Sequence, residues 1–262
     1  DFGPHNAVSY DQLEEVDRWA LHQLEVLRET VTRAYENYEF YQACHALHNF
    51  CAVEMSSFYL DILKDRLYTF AADSRERRAA QTVMATILAD LVKLSAPILV
   101  YTSDEAWQHL PEHLRTAATV HLARFPEPRP EHRLGGESLE NWDALLRMRG
   151  VVSKALEEAR RGKLIGSALE AAVTLTPGDE ATARVLERYR DQLPWVFIVS
   201  KAEVGPVSAE AGQSEDRLLV RVERAPGEKC VRCWNYRETV GTSPEHPQLC
   251  ARCVEQLGEI PG

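Results

Sequence analysis

The chain has 262 residues, 45% of them apolar and 27% charged, with a formal net charge of -10. No apolar run approaches the roughly 18 to 20 residues needed to cross a bilayer, which argues against membrane insertion, and the length leaves room for two domains with a sizeable core. The acidic balance argues against wholesale coating of a polyanion, which requires clustered Lys and Arg, but leaves local basic clusters open.

The first residues, DFGPHNAVSY, carry neither an initiator methionine nor the order of a secretory signal and read as part of a longer chain. From Ser9 to about Tyr38, the residues Leu13, Val16, Ala20, Leu24, Leu27, Val31 and Ala34 recur at helical spacing, predicting a long amphipathic helix. A second helical stretch runs from about Phe40 to Tyr68, with Cys44 and Cys51 expected as small, reduced core residues, consistent with a cytoplasmic location. Cys44 and His48 share a face without a third ligand nearby, so no metal is expected there. A third helix starts after Asp73 or Ser74 and continues to about Leu94, and Pro97 breaks the pattern. A fourth starts near Thr102 or Ser103, whose side chains can accept the first free amides, and ends before Pro111.

These stretches predict an antiparallel helical bundle over 1–110. Residues 111–137, with Pro111, Pro126, Pro128, Pro130, Gly135 and Gly136, read as a linker or wrap. A helix from about Ser138 to Arg161 and the β-rich runs LEAAVTLTP, LPWVFIVSKAEV and RLLVRVERA predict a small α+β domain over 138–227. The fold class expected is therefore mainly α: a helical bundle, then a small α+β domain, then a four-cysteine finger over 228–262.

That finger rests on Cys230, Cys233, Cys250 and Cys253, spaced C-x2-C-x16-C-x2-C. Each C-x-x-C turn can aim two thiolates at one ion, and two such turns complete a closed tetrahedron with no position for substrate water, so one structural zinc is predicted. A redox pair, disulfides or substitution by His246 are the alternatives. With Gly241, Pro244 and Pro247 and few large apolar groups, the segment cannot build its own core, and metal binding must supply much of its folding free energy. Lys229, Arg232, Arg237 and Arg252 can offset the thiolate charge or face phosphate. Trp234 reads first as a lid over the knuckle and second as a nucleobase platform.

Three basic clusters stand out. Arg75, Arg77 and Arg78 occupy the first turn of the third helix, where cations are unfavourable unless Glu76 or a bound phosphate compensates. Lys64, Arg66 and Tyr68 close the preceding helix and can meet them at one end of the bundle. RMRGVVSKALEEARRGK contains Arg147, Arg149, Lys154, Arg160, Arg161 and Lys163 against Glu157 and Glu158, either as a solvated helix face or as a track for phosphates.

DRWAL at 17–21, YEFYQACHALHNFC at 38–51, SSFYLDILKDRLY at 56–68, RRAAQTV at 77–83 and APILVYTSDEAW at 96–107 resemble the helical anticodon-binding domain of bacterial isoleucyl-tRNA synthetases, in part shared with the valine and leucine enzymes. RGVVSKALEEARRGKLIGSALEA at 149–171 and EKCVRCWNYRETVGTSPEHPQLCARCVEQL at 228–257 resemble the C-terminal junction and zinc module of the same family. The resemblance implies the tRNA-binding part of a class I ligase that joins isoleucine to its tRNA with ATP. Its partners would be the anticodon loop and stem of isoleucine tRNA and the catalytic and editing domains of the same enzyme, acting as a monomer in the cytoplasm.

The tRNA-binding residues implied are Lys64, Arg66, Tyr68, Arg75, Arg77 and Arg78 in the bundle, Arg149, Lys154, Arg160, Arg161 and Lys163 on the basic helix, and Arg232, Trp234 and Arg252 on the knuckle. No H-I-G-H-like stretch, no K-M-S-K-S and no valine-editing domain occurs in the sequence, so this chain alone is predicted non-catalytic. The rival readings are a DNA-binding module, since the zinc unit also resembles the finger of formamidopyrimidine-DNA glycosylases, and a purely structural zinc-stabilised interaction module.

Overall fold

The structure, a computed structural model, describes residues 2–258; residue 1 and residues 259–262, the tail of the expected zinc module, lie outside the described residues. Two compact units divide between Gly135 and Gly136.

The first unit is helical. Helix α1 (Glu15–Glu36) buries Val16, Ala20, Leu24, Leu27, Val31 and Ala34, the stripe that the spacing predicts. It starts later than the expected Ser9, because residues before it form a 3-10 turn (Tyr10–Gln12) and an extended approach. Arg18 holds that approach by donating from Nε to the Tyr10 carbonyl (3.2 Å) and from Nη2 to the Asp11 carbonyl (2.6 Å). Leu13 stays buried although it lies outside the helix.

The second stretch is one helical run in three parts: α2 (Phe40–Asn49), a π-helical segment (Phe50–Tyr59) and α3 (Leu60–Thr69). The wide turns have a packing reason. Phe50 and Met55 are both buried, while Val53 is exposed, so the segment must bring residues five apart to one face, and i→i+5 turns do so. Cys44 on α2 is exposed and Cys51 half-buried, which overturns their reading as core residues; the inward positions of this run belong to Ala43, Leu47 and Phe50.

Helix α4 (Arg75–Ser95) is capped by Ser74, whose Oγ accepts the Arg77 amide (3.3 Å). Helix α5 (Val100–His109) begins before the expected Thr102 or Ser103. Ser103 is no cap: it is buried and its hydroxyl pairs with that of Ser95 at 2.9 Å, clamping α5 to the end of α4.

After α5 the chain folds back as three 3-10 turns separated by extended segments. Trp107, Leu110 and Val120 close over Val92 and Ala96 in a small satellite core, and Trp107 Nε1 donates to the Ala117 carbonyl (2.9 Å). The last part is pinned by charge: Arg129 pairs with buried Asp90, its amide donates to Glu25 (3.1 Å), and the Leu134 amide donates to His22 Nδ1 (3.1 Å).

In the second unit α6 (Gly136–Arg161) buries Trp142, Leu145, Met148, Val152 and Leu156 and lies against strand β3 (Leu218–Arg224). The sheet order is β2-β1-β3, with β1 (Ala171–Pro177) central. Alternate residues Ala171, Val173, Leu175 and Pro177 of β1 face the core. Strand β2 (Lys201–Val204) runs parallel to β1 and β3 antiparallel to it. The connection from β1 to β2 contains α7 (Glu180–Arg188) and α8 (Leu193–Val196). The run LPWVFIVSKAEV is thus only partly strand: Pro194 starts a helical turn, whose fixed φ suits that position, and the strand is confined to its end. The zinc segment adds a two-stranded ladder, β4 (Glu228–Lys229) with β5 (Tyr236–Arg237), and helix α9 (Ala251–Gly258). No helix among the described residues is long and apolar enough to cross a membrane.

Candidate functional site

The four knuckle cysteines converge. Strand β4 delivers Cys230, the turn after it Cys233, and the start of α9 Cys250 and Cys253; all are buried, and their sulfurs lie within 4.8 Å of one another. Zn–S bonds of about 2.3 Å set on a tetrahedron give S···S edges of about 3.8 Å. Cys233 Sγ and Cys250 Sγ are 3.8 Å apart, so the quartet fits one tetrahedral ion with every position filled by sulfur.

The local backbone explains the fit. The Cys230 amide donates to the Asn235 carbonyl (2.9 Å), the Trp234 amide to the Cys230 carbonyl (2.9 Å), and Asn235 Nδ2 to the Cys233 carbonyl (3.1 Å), which closes the first turn around its two thiols. The Cys250 amide points at Cys230 Sγ (3.4 Å), a dipole suited to a thiolate. The thiols are already unequal: the Cys253 thiol donates to Cys233 and, with nearby Arg252, draws it down to about 4, while that same contact pushes Cys253 up and burial raises Cys250. Ligation requires thiolates, and a divalent cation is what lets the remaining sulfurs lose their protons together.

Trp234 is not a lid. It sits at φ 63° and is 61% exposed, with Lys229 Nζ 5.3 Å from its ring centroid. The two side chains form an exposed cation–π pair. Val231 beside it is also exposed, and Arg232 and Arg252 are half-buried.

In the first unit, the end of α3 and the start of α4 do meet. Arg66 Nη2 donates to the Glu76 carbonyl at 2.8 Å. The same guanidinium forms a two-pronged pair with Asp17, Nη1 to Oδ1 at 3.0 Å and Nη2 to Oδ2 at 2.7 Å, and Tyr59 Oη donates to Asp17 at 2.7 Å. Asp17 and Tyr59 are fully buried and Arg66 nearly so, so Arg66 faces inward. Around it, Tyr68 is 76% exposed, Lys64 pairs with Asp61 on the surface, Arg75 donates to the Gln12 carbonyl (2.6 Å), Arg78 to Gln81 (2.9 Å), and the buried Nε of half-buried Arg77 has no hydrogen-bond partner.

In the second unit Arg149 is turned inward to the Val196 carbonyl (3.1 Å), Lys154 is exposed, Arg160 and Arg161 both pair with Glu157, and exposed Lys163 ends the helix at φ 57°. Sequence reasoning missed Asp17, Tyr59 and Asn235. Asn235, right after the knuckle, carried a local signal; the other two act through pairing across dozens of residues and carried none.

The profile of the family described as the anticodon-binding domain of tRNA ligase matches residues 17–175. The chain belongs to this anticodon-binding family. A second profile, described as the zinc finger found in FPG and IleRS, matches residues 227–256, which hold all four converging cysteines. Zinc-finger family and sulfur geometry together are consistent with one structural zinc. The chain is 49% identical over 259 residues to the isoleucine–tRNA ligase of Geobacter sulfurreducens, covering 97% of this chain and 27% of that protein. It is 50% identical over 252 residues to that of Syntrophotalea carbinolica (95% and 27%), and 46% identical over 270 residues to that of Caldanaerobacter subterraneus (99% and 28%). The chain thus spans little more than a quarter of the length of the curated relatives it matches, and neither matching profile of this anticodon-binding protein is a catalytic domain.

Proposed function

We propose that this chain is the tRNA-recognition part of an isoleucine–tRNA ligase, the enzyme that joins isoleucine to its tRNA with ATP, and that the remainder of that enzyme supplies catalysis and editing. The bundle takes the anticodon loop, and the basic helix α6 and the zinc knuckle hold the stem. Such loops present unstacked bases, which aromatic rings and polar groups can grip, while Lys and Arg on phosphates set register. Exposed Tyr68 and Trp234 supply rings; Lys64, Arg75, Arg77 and Arg78 at the bundle end, Lys154, Arg160, Arg161 and Lys163 on the basic helix, and Arg232 and Arg252 on the knuckle supply charge. Arg66 and Arg149, both turned inward, act by holding the surfaces that their neighbours present. Cys230, Cys233, Cys250 and Cys253 ligate the zinc, which stands in for a core in a segment too small to have one. The protein works as a monomer in the cytoplasm.

The observation that carries this reading is the joint occurrence, in one chain and in this order, of the anticodon-binding match over 17–175 and the finger match over 227–256. The finger is shared with DNA-glycosylase proteins by its description, but the bundle is not. Filter binding at matched salt decides: retention of isoleucine tRNA over both other tRNAs and duplex DNA supports the proposal, and equal or tighter retention of duplex DNA overturns it.

A further inference from the structure

The zinc knuckle is useful on a stem only if it is held at a fixed angle to the sheet beside it, and a chain of hydrogen bonds runs from one to the other. The knuckle closes on Asn235, whose carbonyl accepts the Cys230 amide. The next residue, Tyr236 of β5, pairs with Lys229 of β4 but donates its own amide to the hydroxyl of Ser200 at 2.7 Å. Ser200 is buried, 1% exposed, and belongs to the sheet side: its Oγ donates to the Leu169 carbonyl (2.5 Å) and its amide to the Ala171 carbonyl (3.1 Å), at the start of β1. One hydroxyl thus accepts from the zinc segment and donates to the turn that leads into β1.

Two further observations show that this placement is over-determined. Ile198, two residues before Ser200, sits at φ 57°, a left-handed conformation that a β-branched residue tolerates only where its surroundings impose it. It does so because the Ile198 and Val199 amides close the α8 turn on the Trp195 (3.2 Å) and Pro194 (2.8 Å) carbonyls, and the reversal that follows is what aims Ser200 into the sheet. On the other side, the chain enters β4 through Gly227 at φ 86°, where a Cβ would lie 2.3 Å from the Arg237 backbone, so β4 and β5 can close there only around a glycine.

We infer that Ser200 is a positioning residue: its hydroxyl fixes the orientation of the zinc knuckle on the α+β sheet, and through it the angle at which Trp234 and Arg232 are presented. This rests on the proposed use of the knuckle on tRNA for its consequence, but not for its geometry. Removing the hydroxyl leaves the Tyr236 amide and the Leu169 carbonyl, both on half-buried residues, without this partner, which favours any arrangement in which the knuckle swings free so that water can reach them.

The test uses the whole chain with cobalt(II) in the four-cysteine site. The cobalt absorption bands report the sulfur ligands, and pseudocontact shifts at the β1 and β3 amides report where the metal sits relative to the sheet. Ser200→Ala is expected to keep the cobalt bands and lose more than half of those shifts through averaging, and Ser200→Thr, which keeps the hydroxyl, to restore most of them. Unchanged pseudocontact shifts in Ser200→Ala overturn the inference. Should that variant fail to fold, hydrogen exchange in the wild type decides: the Tyr236 amide must exchange at least about 100-fold more slowly than an exposed amide, and fast exchange overturns the inference. Binding of isoleucine tRNA separates the two readings. A roughly 10-fold loss of affinity that tracks the lost shifts supports both, whereas lost shifts with unchanged affinity uphold Ser200 as the anchor and overturn the use of the knuckle on tRNA.

Discussion

Substituting Arg66 by methionine leaves the Asp17 carboxylate in a fully buried site with the Tyr59 hydroxyl (2.7 Å) as its remaining close partner of the three contacts described. Breaking a buried ion pair from one side typically costs about 3–5 kcal/mol, because the surviving charge can neither pair nor reach water. The lost hydrogen bonds to the Glu76 carbonyl add little, since that carbonyl sits in the first turn of α4, where the helix ladder also uses it as an acceptor. For a unit of this size, roughly 4 °C of melting temperature per kcal/mol translates the loss into about 10–20 °C. The assay is the thermal transition of the first unit, followed by helix ellipticity at neutral pH. The double variant Asp17→Asn/Arg66→Met removes the stranded charge and should recover at least half of the loss, as expected where an uncompensated charge is the cause. A single variant melting within about 3 °C of the wild type, or a double variant no better than the single, would mean that the stranded Asp17 charge is not what the pair offsets. The same geometry predicts a distinct signature in tRNA binding: Arg75→Ala should lower the salt slope of affinity by about 1, while Arg66→Met should leave the slope unchanged and act only through the shape of the bundle end.

Stripping zinc with a chelator should unfold the knuckle around residues 228–258 and leave the bundle transition where it was, seen as loss of dispersed amide signals confined to that segment; a shift of the bundle transition contradicts the closed structural site. Asp179 caps α7 through the Thr182 amide (2.8 Å) and pairs with Arg217, and these partners hold its carboxyl down to about 2 from an ordinary 3.8. Because the folded value is the lower one, the cap's stabilisation is present above about 3.8 and is lost as pH falls through about 2. Asp179→Ala should therefore cost about 1 kcal/mol at neutral pH, and the gap between the two proteins should close between pH 4 and 2; a gap independent of pH rules out the carboxylate as its source. Trp234→Ala should leave zinc content and melting unchanged, the ring being 61% exposed, and weaken tRNA binding by about 1–3 kcal/mol if a base stacks there.

The zinc centre was the most legible part of the sequence, because ligand spacing is set by local turn geometry and four cysteines at that spacing leave few alternatives. The long helices were nearly as plain: a stripe such as Val16, Ala20, Leu24, Leu27 and Val31 has a period that only a helix can bury. What failed was local chemistry overruled at a distance. Ser103 has the residue type of a cap but its hydroxyl answers Ser95, and the helix begins upstream. The π-helical segment follows from keeping Phe50 and Met55 on one face, a demand made by the core around them. LPWV reads as strand by composition yet turns helically at Pro194, since a short apolar run does not distinguish the two. Arg66 was legible as a cation but not as a buried one, because its partner Asp17 lies in another helix. Cys44 was assigned to the core because it lies in an apolar helical stretch, and it proves exposed.

Under the proposed role the bundle and the metal-stiffened knuckle each contribute to binding isoleucine tRNA. The deciding measurement is the affinity of the zinc-loaded chain for isoleucine tRNA transcripts that differ only in the anticodon, repeated after the zinc is removed. At least a 10-fold preference for the isoleucine anticodon is expected, with a marked loss of affinity without zinc. Equal affinity for every anticodon, or binding untouched by removal of the metal, would overturn the proposed role.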